Sequence, residues 1–316
     1  MKDPFGRDIT YLRLSVTELC DLRCRYCMPA AGVPKRRHED MLTEEETVLA
    51  VSVAAELGVR KVRLTGGEPL VKRNILSLAE RVAAVPGVKE LCLTTNGVHL
   101  PALAGPLRAA GVKRVNVSLD TLDAAKYAHI TRVGRLKDAL AGLDAALNAG
   151  FERVKINAVL IGGFNDDEIP ALADLTRRYP LDVRFIELMP MGAGDFEKSA
   201  YVSGDLVLEK LPELQKEAED GAVAALYRLP GAQGQVGIIR PLSCQFCDRC
   251  DRIRLTADGR IKPCLHQRAE YPLKGLSRDG MKAQFLAAIA NKPPCHGELS
   301  YAAPSQAHRP MHRIGG

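Results

Sequence analysis

The chain has 316 residues, 46% of them hydrophobic and 26% charged, an ordinary globular composition that is long enough to bury a core without disulfide staples. Its formal charge of +6, from 44 Lys and Arg against 38 Asp and Glu, is too small to argue for nucleic acid and comes with no long basic run. No apolar run approaches the roughly eighteen residues of a membrane span, and Met1-Lys2-Asp3-Pro4 lacks the apolar stretch of a signal peptide. The expectation is a cytoplasmic protein with no membrane partner and no nucleic-acid partner.

The first expected element is a strand at 11–16, where Leu12, Leu14 and Val16 alternate. Directly after it comes Cys20-Asp21-Leu22-Arg23-Cys24-Arg25-Tyr26-Cys27, a C-x3-C-x2-C spacing. Three thiolates on one tight loop suit three irons of a cubane cluster and leave the fourth iron open, as catalysis requires. Structural zinc fits less well, because the loop offers no fourth ligand. Thr43-Glu44-Glu45-Glu46 then reads as a capping box at a helix start, with Gly58 as the stop after Leu57.

Further strands are expected at 61–64, 91–94, 114–118, 154–160 and 183–188, each followed by helix-like sequence. Leu136, Leu140, Leu143 and Leu147 form one apolar helical stripe, ended by Gly150. Six strands in βα repeats imply a parallel sheet, whose ligands gather at the carboxyl ends of its strands. Those ends read Thr65-Gly66-Gly67-Glu68-Pro69, Thr94-Thr95-Asn96-Gly97, Ser118-Leu119-Asp120 and Glu187-Leu188-Met189-Pro190. Glu68 is placed to meet an ammonium, and Cys92, alone between Leu91 and Leu93, reads as a small buried hydrophobe.

Beyond about residue 200 the βα rhythm fades. Gly231-Ala232-Gln233-Gly234 is a turn before a short strand at 236–239, and no dinucleotide fingerprint or Walker-type loop occurs. Cys247, Cys250 and Cys264 then give C-x2-C-x13-C. Spacing alone leaves zinc, completed by His266 or Cys244, nearly even with iron–sulfur. A first iron–sulfur motif on the same chain favours iron–sulfur. Cys295, beside His296, reads as a loop residue.

The first motif, with Tyr26 before its last cysteine and Gly66-Gly67-Glu68-Pro69 after the second strand, resembles the radical S-adenosylmethionine superfamily. The second motif, with Arg252 and Arg254 after Cys250 and the terminal Gly315-Gly316, narrows the resemblance to the GTP 3′,8-cyclase family over nearly the whole chain. That resemblance implies an α/β fold: a partial (β/α)6 TIM-like barrel over 1–220 and a smaller C-terminal iron–sulfur region over 221–316. It implies two [4Fe-4S] clusters, on Cys20, Cys24 and Cys27 and on Cys247, Cys250 and Cys264. S-adenosylmethionine would meet Tyr26, Gly67, Ser118 and Met189. GTP would meet Arg13, Arg63, Thr94, Lys155, Arg252 and Arg254, with Lys61 and Arg184 as further cations near that pocket. Arg13, Arg252, Arg254 and the Gly315-Gly316 tail would serve catalysis, the tail reaching into the active site.

The implied reaction is the first step of molybdenum cofactor biosynthesis. A 5′-deoxyadenosyl radical takes hydrogen from C3′ of the ribose, and C3′ then bonds to C8 of guanine. The implied partners are GTP, a reductant such as flavodoxin or ferredoxin and the next enzyme, cyclic pyranopterin monophosphate synthase; a homodimer is also admitted. Cys244 would cap the open auxiliary iron only as a departure from the family. The competing readings are a radical enzyme with an auxiliary cluster acting on a peptide, and a zinc protein that binds nucleic acid.

Overall fold

The computed structural model describes residues 1–191, 200–217, 223–244 and 246–315. Its architecture follows from an alternation of period two that runs through nearly every long strand. In β1 (Tyr11–Ser15) Leu12 and Leu14 are fully buried in the hydrophobic core, while Tyr11, Arg13 and Ser15 face the other way. The same holds in β2 (Lys61–Thr65), β3 (Glu90–Thr95), β4 (Val112–Ser118), β5 (Arg153–Leu160) and β6 (Leu181–Glu187). Their apolar residues, among them Val62, Leu93, Val117, Ile156 and Phe185, join that one core. A parallel strand covered by packing on both faces reads as an unbroken apolar run. These strands instead place a polar residue at every second position, so their inner face borders a polar space.

All six strands lie side by side in sequence order and parallel. The main helices between them are α1 (Glu44–Glu56), α2 (Ile75–Ala83), α3 (Leu100–Ala109), α4 (Ala124–Thr131), α5 (Leu136–Asn148) and α6 (Ile169–Arg178). This is the partial TIM-like barrel, an open α/β sheet with its apolar face under helices. The expected α1 start is present: the Thr43 hydroxyl accepts from the Glu46 amide at 3.1 Å, and Glu46 accepts from the Thr43 amide at 2.9 Å. Leu136 and Leu143 of α5 are buried, and Leu140 and Leu147 pack against the same core.

After the short α7 (Leu206–Lys210), the rest of the chain continues the sheet on both edges. β9 (Val236–Ile239) runs parallel to β6 and carries the antiparallel β8 (Ala225–Arg228) and β7 (Gln215–Lys216) outward. β10 (Arg252–Leu255) runs parallel to β1 and carries β11 (Arg260–Lys262) and β12 (Tyr271–Pro272). α8 (Arg278–Ala290) packs on α1, and the chain closes with α9 (Met311–Ile314). Among the described residues, no helix is long and apolar enough to cross a membrane.

Candidate active site

The two cysteine sets sit at opposite ends of the parallel strands. Cys20, Cys24 and Cys27 follow the carboxyl end of β1, whereas Cys247 and Cys250 precede the amino end of β10, which runs alongside β1 with Tyr11 opposite Arg252. Cys264 follows β11, antiparallel to β10, and so returns to that second end. The first set therefore lies on the carboxyl-end rim, as expected, and the second lies at the opposite end of the strands.

The first set is half-buried and acid-lined. Burial pushes the Cys20 and Cys27 thiols up to about 12 and lifts Cys24 well above the ordinary thiol value, with Asp21, Asp120 and the other sulfurs adding to the rise. Tyr26 donates to Asp120 at 2.8 Å, and burial lifts the Asp120 carboxyl to about 6. Arg132 holds the loop by donating to the carbonyls of Arg23 at 2.7 Å and Met28 at 3.0 Å. It does so with φ at +64°, a strained backbone for a side-chain-bearing residue. Gly67 brings the β2 loop against the cysteine loop, and a Cβ there would lie 2.2 Å from the Leu19 carbonyl oxygen. Ser118 and Met189 stand at the same end, Ser118 as the last residue of β4 and Met189 just after β6.

Glu68 anchors the loop that follows β2. It is buried and accepts from the Leu70 amide at 2.9 Å, the Thr95 hydroxyl at 2.8 Å and the Asn96 amide at 2.7 Å. The carboxylate thereby ties the Gly-Gly loop to the end of β3, although burial still raises it to about 7.

The second set is cation-lined. Lys292, itself buried, points its Nζ at Cys250 Sγ (3.5 Å) and at the carbonyls of Arg252 and Pro263, both 2.8 Å away. Burial opposes ionisation of Cys250, yet Lys292, the Arg252 backbone and the Arg252 charge outweigh it and lower the thiol. Arg7, paired with Asp3, donates to the carbonyls of Cys247 at 2.6 Å, Pro294 at 2.9 Å and Pro293 at 2.6 Å. Cys244 is exposed, in a small pocket with Lys216, Arg240 and Arg249, and the sulfurs that weigh on Cys247 are Cys264, Cys250 and Cys295. His266 turns Nδ1 to the Ser305 hydroxyl at 3.1 Å and its ring edge to His296. Among the described residues no three His, Cys, Asp or Glu side chains converge on a single-ion site.

Between the two ends lies the polar inner face. Arg254, Arg13 and Arg63 stand in one row across β10, β1 and β2. Lys155 on β5 faces Asp182 at 2.7 Å, and Arg184 sits on β6 opposite Asn157. Like charges on adjacent strands repel, and here they are also desolvated. Burial, then the neighbouring guanidiniums, pushes Arg13 and Arg184 down to about 10 and Arg254 to about 9; burial and Arg184 bring Lys155 to about 8. The nearby carboxylates are already engaged, Asp182 by Lys155 and Glu90 by Lys61 and Arg114. Arg184 Nε and Arg252 Nε are buried without a hydrogen-bond acceptor. The interior therefore has an excess of cationic donors, a charge distribution completed by a polyanion.

Arg63 is held by Tyr11 Oη at 2.5 Å, the Leu93 carbonyl at 2.8 Å and Thr94 Oγ1 at 3.4 Å. Thr94 thus shares the cationic row. Cys92 is buried, but on this polar face, 3.2 Å from Glu90 Oε1 and under the charge of Arg63. From the far end of the chain, Arg254 donates to the Gly315 carbonyl, and a Cβ on Gly315, at φ +81°, would lie 2.2 Å from Thr65 Oγ1. Gly316 lies outside the described residues. The site residues that sequence reasoning missed are Tyr11, Arg7, Arg132 and Lys292, whereas Asp120 lies at a strand end already singled out. Tyr11 was marked by its two-residue spacing from Arg13; the other three act across long chain separations that no local pattern reveals.

The geometry is matched by the comparisons. The sequence profile of the Radical SAM superfamily matches residues 14–176, and that of Molybdenum Cofactor Synthesis C matches 181–298. The chain is 47% identical to the GTP 3′,8-cyclase of Moorella thermoacetica over 100% of both chains. It is also 47% identical to that of Peptoclostridium acidaminophilum, over 99% of this chain and 98% of that one. The crystal structure of Streptococcus suis SuiB bound to S-adenosylmethionine shares the fold, with a TM-score of 0.65 over 86% of this chain and 65% of that one at 16% identity. The hydrogenase maturase HydG of Carboxydothermus hydrogenoformans shares it less extensively, with a TM-score of 0.52 over 65% and 50% of the two chains at 18% identity. Two cysteine sets at the ends of a cationic channel, with full-length likeness at this level, place the chain in the GTP 3′,8-cyclase family of the radical S-adenosylmethionine superfamily.

Proposed function

We propose that this chain carries out its family's reaction, closing a C3′–C8 bond in GTP to give (8S)-3′,8-cyclo-7,8-dihydroguanosine 5′-triphosphate, with the triphosphate held in the cationic channel. The observation that carries this reading is the surplus of desolvated cations on the inner face of the strands that run between the two cysteine sets. Cys20, Cys24 and Cys27 would hold the first [4Fe-4S] cluster, and Cys247, Cys250 and Cys264 the second. When bound, S-adenosylmethionine on the reduced first cluster supplies the 5′-deoxyadenosyl radical.

This chain's own residues then have distinct tasks. Tyr26, Gly67, Ser118 and Met189, at the first end, would line the S-adenosylmethionine site. Arg13, Lys155, Arg252 and Arg254 would neutralise phosphate oxygens, because guanidiniums in a water-poor channel form charge-assisted bonds that water does not compete for. Arg63, fixed by Tyr11 and Thr94, would set the orientation of the nucleotide. Gly315 would bring backbone alone beside Thr65, where a side chain has no room. The division into a core over 1–220 and a cluster-bearing region over 221–316 belongs to the same proposal. So do a flavodoxin- or ferredoxin-like reductant and hand-over to cyclic pyranopterin monophosphate synthase.

The test is anaerobic reconstitution of both clusters, then incubation with S-adenosylmethionine, dithionite and GTP and mass spectrometry of the products. Formation of 5′-deoxyadenosine together with a GTP isomer cyclised between C3′ and C8 is expected. Deoxyadenosine without a GTP-derived product would overturn the substrate.

A further inference from the structure

The second cysteine set is gathered by a short segment that carries none of its three cysteines. α8 packs on α1, and its buried Phe285, Ala288 and Ile289 fix where it ends. The chain then turns through Asn291 and Lys292, whose amides donate to the Ala287 and Ile289 carbonyls, both at 3.1 Å. Pro293 and Pro294 follow, each with a restricted backbone. Arg7 donates to both proline carbonyls and to the Cys247 carbonyl, so the segment 292–294 is fixed against the second cysteine loop.

The Lys292 side chain is delivered from that segment, and the residue is only 4% exposed. An ammonium has three N–H donors, and Nζ meets three acceptors: the Arg252 and Pro263 carbonyls, both at 2.8 Å, and Cys250 Sγ at 3.5 Å. One side chain thus ties together Cys250, the first residue of β10 and the residue before Cys264. Among the described residues no carboxylate pairs with this ammonium. A buried charge needs a counter-charge, which carbonyl dipoles supply only in part. The Cys250 sulfur, as a thiolate, is the one partner able to carry it. The first set differs: Cys20 Sγ accepts from the Leu22 amide at 3.4 Å and lies 3.8 Å from Asp21 Oδ1, a carboxylate in place of a cation. A hydrogen bond to a cluster sulfur, and positive charge beside it, both favour the reduced state of an iron–sulfur cluster.

We propose that Lys292 is a positioning residue of the second cluster: it holds Cys250 against the segments that carry Arg252 and Cys264, and its N–H donation to the Cys250 sulfur makes this cluster easier to reduce than the three cysteines alone would. The proposal rests on the reading of Cys247, Cys250 and Cys264 as ligands of a [4Fe-4S] cluster. Lys292 acts through Cys250, so its removal should move the second cluster and leave the first untouched.

The experiment measures the iron content and the midpoint potential of each cluster, by EPR redox titration, in reconstituted wild-type holoenzyme, Lys292→Arg, Lys292→Gln and Lys292→Met. The same four proteins with Cys20→Ala/Cys24→Ala/Cys27→Ala, which keep the second set alone, assign the signals. Arginine keeps a charged donor, glutamine a neutral donor, and methionine neither. At a fixed potential the second cluster of Lys292→Met should be roughly ten-fold less reduced, a midpoint about 59 mV lower for one electron. Lys292→Gln should fall between, and Lys292→Arg nearest wild type. The first cluster's potential, and 5′-deoxyadenosine formation without GTP, should not move. Equal second-cluster potentials in wild type, Lys292→Gln and Lys292→Met at full iron content overturn the proposal, as does an equal shift in the first cluster. Should Lys292→Met fail to retain the second cluster, a Lys292→Gln potential no lower than that of Lys292→Arg overturns it. A wild-type second set that takes up no iron–sulfur cluster overturns the reading of its ligands instead, and that result is seen before any Lys292 variant is compared.

Discussion

The cysteine loop after β1 and the one before β10 do related jobs in opposite electrostatic settings. Each is pinned by a remote arginine that donates to backbone carbonyls, Arg132 for the first and Arg7 for the second. Around the first lie Asp21, Glu68 and Asp120, and its thiols are all pushed well above their ordinary value. Around the second lie Lys292, Arg252 and Arg254, and Cys250 is pulled down. The same ligand chemistry is therefore set in an anionic frame at one end of the channel and a cationic frame at the other. On the proposed reading, the end that would generate the radical is kept away from the charges that would attract a triphosphate.

The comparison breaks most sharply at the cysteines themselves. Cys24→Ala is expected to abolish 5′-deoxyadenosine formation, whereas Cys250→Ala should keep deoxyadenosine formation and lose the cyclised nucleotide; product analysis of both variants decides it. Equal loss of deoxyadenosine in the two would erase the division of labour between the ends.

The middle of the channel gives the next largest effect, with two signs. Arg184→Met should reduce kcat/KM for GTP by roughly 10–100-fold, the worth of a charge-assisted contact. Without nucleotide, the same variant should be more stable by about 1–2 kcal/mol, because it removes a desolvated charge crowded by Arg63 and Arg252. Steady-state kinetics and thermal unfolding of the nucleotide-free protein check the pair of signs.

Lys155 predicts a pH dependence at the same place. Burial and Arg184 bring its ammonium down to about 8, so it is charged below that pH and neutral above it. GTP affinity should accordingly hold to pH 7.5 and weaken about ten-fold by pH 9, one unit above the folded value. Lys155→Met should flatten that limb of the profile in a binding titration. The smallest effect belongs outside the channel: Thr43→Ala removes the α1 cap and should cost about 1 kcal/mol of stability, near 2 °C in Tm, with GTP turnover unchanged.

Much of this was legible in the chain itself. The six core strands, the Thr43 cap, the α5 stripe and both cysteine motifs are local patterns, each set by residues within a few positions of one another. A capping box or C-x3-C-x2-C carries its meaning in its own spacing, and the family resemblance extended that meaning to cofactors and substrate. The tertiary structure decided how the strands are ordered at the sheet edges, and with that everything that depends on distance in space. Parallel pairing of β10 with β1 brings Arg252 and Arg254 beside Arg13 and Arg63, and it sends the second cysteine set to the far end of the channel. Glu68 also anchors structure that its own neighbourhood does not show, since its amide and hydroxyl donors lie up to 28 residues away along the chain. Arg7 meets Cys247 across 240 residues, and Arg309 meets Asp258 across 51. Local sequence determines which segments can be strand, helix or metal loop, because propensity and spacing act over a few residues. Which charges face one another is settled only when non-local pairing brings the strands together, since Coulomb repulsion and desolvation depend on separation in space and not along the chain.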